Sequence, residues 1–111
     1  MWDEVQYNAS SYCCEHFVID AYQHYKGIDL TNKLLTSGFF NACNLRGFKR
    51  IDAPYQYCFV MFRSHSKAHV GLWVDGKVLH LEPSGVTWQP LDYIKQQFDR
   101  VYFYEPIQAK S

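Results

Sequence analysis

The chain has 111 residues, 48% hydrophobic and 18% aromatic, with 11 basic and 11 acidic side chains and a formal net charge of zero. This composition excludes a disordered chain and fits one globular domain over 1–111. The lack of a basic excess argues against a nucleic-acid partner, and no apolar run reaches the length of a membrane span.

The first ten residues are polar and turn-like, and Ser10 or Ser11 is placed to cap a helix starting near Tyr12. Cys14, Phe17, Val18, Ala21, Tyr22 and Tyr25 recur at helical spacing, and Gly27 follows as a stop. The pattern predicts a helix over 13–26. Leu34, Leu35, Phe39 and Phe40 suggest a second helix over 31–43, and 44–55 reads as a loop closed by Pro54.

The second half changes character. Residues 57–62 form a short apolar run, and the runs 70–74 and 77–81 flank Asp75-Gly76. Asp-Gly between two such runs predicts a two-residue hairpin turn. A further strand is expected at 86–88, a short helix over 91–98 entered at Pro90, and a last strand over 101–104. Helices first and a mostly antiparallel sheet afterwards make the class α+β.

The hairpin carries a geometric expectation. With a two-residue turn, Val74 pairs with Lys77, which sets Gly71 opposite His80 and His69 opposite Glu82. His69, His80 and Glu82 then share one face, while Val70, Leu72, Leu79 and Leu81 share the apolar one. Cys14 lies in the first turn of the predicted helix, where free N–H groups and the helix dipole favour a thiolate. A histidine brought beside it supplies a base. Cys13 is about 100° away around the helix and His16 about 200° from Cys14, so neither takes the same part.

The four cysteines, Cys13, Cys14, Cys43 and Cys58, do not form a disulfide framework, and no Cys-x-x-Cys pair supports zinc. The start, Met1 to Glu4, lacks the basic and apolar stretches of a secretory signal, so synthesis in a cytoplasm is expected.

The segment CEHFVIDAY (14–22) resembles the nucleophile helix of the NlpC family of papain-like cysteine peptidases. The segment HVGLWVDGKVLH (69–80) is similar to that family's base strand, hairpin and third-residue strand. The segments are similar to those of small phage-encoded members, often tail-associated. The resemblance spans about residues 10–104 and implies a papain-like fold, with N-terminal helices packed on the sheet. It implies Cys14 as nucleophile, His69 as general base and His80 as the residue orienting it, with the Cys14 backbone N–H at the oxyanion. It further implies hydrolysis of an amide bond in peptidoglycan stem peptides, no cofactor, and a phage tail or virion assembly as partner.

Trp73, on the His69 face, and Tyr12, near the nucleophile, are the expected substrate-binding residues. The cysteine segment also resembles the lecithin:retinol acyltransferase family, whose base hairpin precedes its cysteine. Two other readings therefore stand beside the hydrolase. One is a thioester-forming acyltransferase on the same scaffold, and the other a non-catalytic virion or binding component.

Overall fold

A computed structural model describes residues 2–31, 47–65 and 67–107. In chain order the elements are α1 (Cys14–Lys26), β1 (Phe48–Ile51), β2 (Phe59–Arg63), β3 (Ala68–Val74), β4 (Lys77–Glu82), β5 (Gly85–Gln89), α2 (Leu91–Lys95) and β6 (Arg100–Pro106). The six strands form one sheet in the order β1-β6-β2-β3-β4-β5, and every pairing is antiparallel. The α+β class holds, with one N-terminal helix among the described residues where several were expected. Nearly all of the helix predicted over 31–43 lies outside those residues.

The apolar stripe of α1 is the reason it forms and docks. Phe17, Val18, Ile19, Ala21 and Tyr22 are buried, and the helix packs on β3 and β4. Gly27 ends it in the left-handed region at φ 70°, with its N–H donating to the Gln23 carbonyl. Each large apolar side chain taken fully from water contributes about 1.5–3 kcal/mol before entropy is counted.

Strand alternation divides the sheet's side chains into two cores. Phe59, Met61, Val70, Leu72, Val74, Leu79 and Leu81 meet α1 on one face. Val60, Phe62 and Val78 meet Ile94 of α2 on the other, with Trp73, Phe98 and Phe103 packed around them. The sheet is thus covered on both sides, and a one-residue slip of any strand would exchange the two cores.

The β3–β4 hairpin follows its predicted turn. Asp75 and Gly76 both take positive φ, 49° and 82°, as a type I′ turn requires. Gln56 holds the turn from outside, accepting from the Asp75 N–H at 2.8 Å and donating to Asp75 Oδ1 at 2.7 Å. Val74–Lys77, Trp73–Val78 and Leu72–Leu79 pair in the expected register.

One strand departs from the sequence reading. Residues 44–55 were expected as loop, yet Phe48–Ile51 pairs with β6, from Phe48–Pro106 to Ile51–Phe103. The segment is too short and too charged, with Lys49 and Arg50 at its centre, to announce a strand. Its partner supplies the ladder, and Arg50 lies over the Tyr102 ring at 4.4 Å.

Gly71 sits where β3 and β4 press together. A Cβ added there would lie 2.5 Å from Val78 Cγ1 and 3.1 Å from His80 Cβ. Gly71→Ala is therefore expected to destabilise the fold by about 1–3 kcal/mol, read as a lowered urea midpoint with unchanged slope. An unchanged midpoint would mean that the strands lie further apart than described.

Candidate active site

Cys14 is the first residue of α1, and Cys13 is its N-cap. His16 Nδ1 accepts the Cys13 N–H at 3.1 Å and lies 3.4 Å from Cys13 Sγ. His16 therefore closes the helix start, which Ser10 or Ser11 was expected to do. Those serines are held one turn earlier, where Asn8 Oδ1 accepts their N–H groups at 3.0 and 3.3 Å. An Asn side chain captures the backbone just after it more readily than a helix further on can.

The regular β3–β4 ladder ends near the point where Cys14 reaches the sheet. The β3–β4 ladder stops at Leu72–Leu79, although β3 runs back to Ala68 and β4 on to Glu82. The expected onward pairs, Gly71–His80 and His69–Glu82, are not made as ladder pairs. Trp73 N–H donates toward β2, to the Cys58 carbonyl at 2.9 Å, so by alternation Val70 N–H points toward β4. In a continued ladder it would bond across to Leu81. The Val70 and Glu15 N–H groups also face the Cys14 sulfur, where each favours its thiolate. The thiol reaches the sheet from the α1 side.

His69 approaches the same place from the other face. Its ring stacks on Phe98 at 6.1 Å and lies 6.1 Å from Phe62. His69 Nε2 meets His80 Nδ1 at 2.8 Å, with the two rings edge to face. Cys14, His69, Leu81 and Glu82 line one cavity of about 520 Å³. Cys14 and His69 thus share a cavity, and His80, which does not line it, contacts His69.

His80 is fully buried. Its Nε2 contacts Gln89 Oε1 at 2.8 Å and Thr87 Oγ1 at 2.9 Å. Its Nδ1 also lies 3.8 Å from Glu82 Oε1, beyond hydrogen-bond length. Gln89 and Thr87 went unnoticed in the sequence. The signal that would have found them is the Pro83-Ser84 turn, which pairs Glu82 with Gly85 and so sets Thr87 opposite His80.

The expected substrate-binding residues lie outside this cavity. Trp73 packs edge-on to Phe103 at 6.3 Å. Tyr12 stacks on His16 and donates its hydroxyl to Asp20. Tyr7 lines the cavity in Tyr12's stead.

Burial dominates the electrostatics. It pushes the Cys14 thiol up to about 12, against the Val70 N–H that favours the thiolate. The helix start was expected to lower this thiol, but removal from water outweighs it. Burial, and then neighbouring His80, push His69 down to about 4. Burial likewise lowers His80. At neutral pH the arrangement rests as a neutral thiol beside two neutral imidazoles.

Cys13, Cys14 and Cys58 are free thiols. Among the described residues, Cys13, Glu15 and His16 place donor atoms within 4.8 Å of one another, as a metal would need. The Nδ1 lone pair of His16 is already engaged by the helix start. No described helix is long and apolar enough to cross a membrane. Compared with known proteins, the chain matches no protein-family profile and no curated protein significantly.

The low pKa of His69 ties stability to pH. Its folded value lies below the ordinary 6.5, so its contribution is full above about pH 6.5 and is lost as pH falls through about 4. His69→Asn is expected to flatten the fall in urea stability between pH 7 and pH 4, by at most about 3 kcal/mol. Equal pH slopes for both proteins would show that His69 titrates as it does in water.

Proposed function

We propose that the chain is a cysteine amidase or endopeptidase that hydrolyses an amide bond in peptidoglycan stem peptides. The observation that supports this most is the shared cavity of Cys14 and His69, with His69 backed by His80 through a 2.8 Å contact. The substrate class comes from the resemblance of the cysteine and hairpin segments to the NlpC family.

His80 engages Nε2 of His69, which leaves Nδ1 for the sulfur. In the proposed reaction the Cys14 thiol passes its proton to Nδ1 as the sulfur bonds to the substrate carbonyl carbon. Because both groups rest neutral, the proton moves during attack rather than before it. The oxyanion faces the start of α1, where the Cys14 N–H has no partner within the helix. Collapse breaks the C–N bond, and the imidazolium gives its proton to the departing amine. Water then attacks the thioester with His69 again as base, which restores the thiol. His80 keeps the ring in place throughout.

One observation favours a non-catalytic binding role. Cys14 is only 8% exposed, and buried cysteines commonly serve as small hydrophobes. Incubation with purified stem-peptide fragments, acid quench and mass spectrometry separates the readings. The hydrolase leaves an acyl adduct on Cys14 and releases new amine ends. Cys14→Ala abolishes both, and His69→Ala slows adduct formation by about a hundredfold or more. Transfer of the acyl group to an added amine in preference to water would select an acyltransferase. Absence of both adduct and cleavage would select the binding role.

The pH profile gives an independent check. The base must be unprotonated, so kcat/KM is expected to hold down to mildly acid pH and fall only as pH drops through about 4. A limb at 6.5 that disappears in His69 variants would contradict the buried environment described for that ring.

A further inference from the structure

A neutral imidazole has one N–H and one bare nitrogen, and the hydrogen bond at one nitrogen decides which is which. His69 Nε2 and His80 Nδ1 lie 2.8 Å apart, so one donates and the other accepts. The pair alone does not fix the direction. If His80 Nδ1 accepts, His69 carries its proton on Nε2 and its Nδ1 is bare. If His80 Nδ1 donates, His69 carries its proton on Nδ1 and has no lone pair for the sulfur.

The third contact breaks the tie. Gln89 turns its amide oxygen, an acceptor, to within 2.8 Å of His80 Nε2, and in that orientation Nε2 donates. Thr87 agrees, because its hydroxyl donates to the same Gln89 oxygen at 3.3 Å and keeps lone pairs for His80 Nε2 at 2.9 Å. Glu82 Oε1 draws a proton toward His80 Nδ1, but from 3.8 Å. The two nearer acceptors outweigh it. Sheet register holds the set together, with Thr87 opposite His80 and Gln89 two residues on, opposite Val78.

We propose that Gln89, assisted by Thr87, is a positioning residue that fixes the His80 proton on Nε2 and thereby leaves the His69 Nδ1 lone pair bare. Its role in turnover rests on the hydrolase reading, while the tautomer assignment rests on the orientation of the Gln89 amide. The device passes one choice of proton position across three side chains on three strands. A Gln89 amide turned the other way would donate to His80 and send the choice in reverse.

The test is histidine side-chain ¹⁵N spectroscopy on the full chain at pH 8, where both rings are neutral. Wild type is expected to show His69 and His80 each protonated on Nε2. In the Gln89→Met, Thr87→Val double variant both acceptors are gone, and at least about a third of His69 should move its proton to Nδ1. Gln89→Glu keeps an acceptor and should keep the wild-type tautomers, with His80 titrating at higher pH. Acylation of Cys14 by a stem peptide should slow in proportion to the His69 that has moved its proton, by about 1.5-fold or more in the double variant.

A wild-type His69 protonated on Nδ1 overturns the proposal, and this reading needs no variant to fold. A double variant with wild-type tautomers overturns it as well. If the tautomers behave as expected but no peptide acylates Cys14, the hydrolase reading fails and the positioning assignment remains.

Discussion

The arrangement depends on one displaced hydrogen bond. Val70 N–H, which a continuous hairpin would spend on Leu81, faces the Cys14 sulfur and favours its thiolate, where the β3–β4 pairing has ended at Leu72–Leu79. The exchange is affordable because sulfur can accept in place of a carbonyl, and the donor need not stay buried and unpaired. Its consequence is larger than one bond. Cys14 from the α1 face and His69 from the α2 face line the same cavity near the end of that ladder.

The rest of the site follows from how these two side chains are held. On one side α1 is anchored by its buried stripe and by the Cys13–His16 closure of its first turn. On the other, Phe62 and Phe98 hold the His69 ring while the β4–β5 register brings Thr87 and Gln89 to His80. Among the described residues, no buried side-chain nitrogen or oxygen lacks a hydrogen-bond partner. A satisfied polar series in a dry setting is rigid, because any rotation strands a buried group.

Much of this was legible in the sequence for local reasons. Asp75-Gly76 fixes a turn type, the turn fixes register, and register predicts which residues share a face. His69 and His80 were paired on that logic alone. Spacing from Cys14 to Tyr25 likewise marked α1, and Gly27 its end. What stayed hidden is tertiary. The end of the β3–β4 ladder just beyond Leu72–Leu79 departs from the expected register, and nothing in residues 68–72 or 79–82 announces it. The short β1 owes its existence to β6.

The ionisation of Cys14 shows the same division. Position at a helix start is readable from sequence and favours a thiolate. Desolvation depends on what packs over the residue, and here it dominates and raises the thiol. Amide hydrogen exchange at Val70 in wild type and Cys14→Ala tests the displaced hydrogen bond most directly. With the sulfur as acceptor, Val70 should be protected in wild type and exchange about tenfold faster or more in the variant, while Leu72, within the ladder, stays unchanged. Equal protection of Val70 in both proteins would mean that the ladder runs on to Leu81 and that the sulfur does not meet the Val70 N–H.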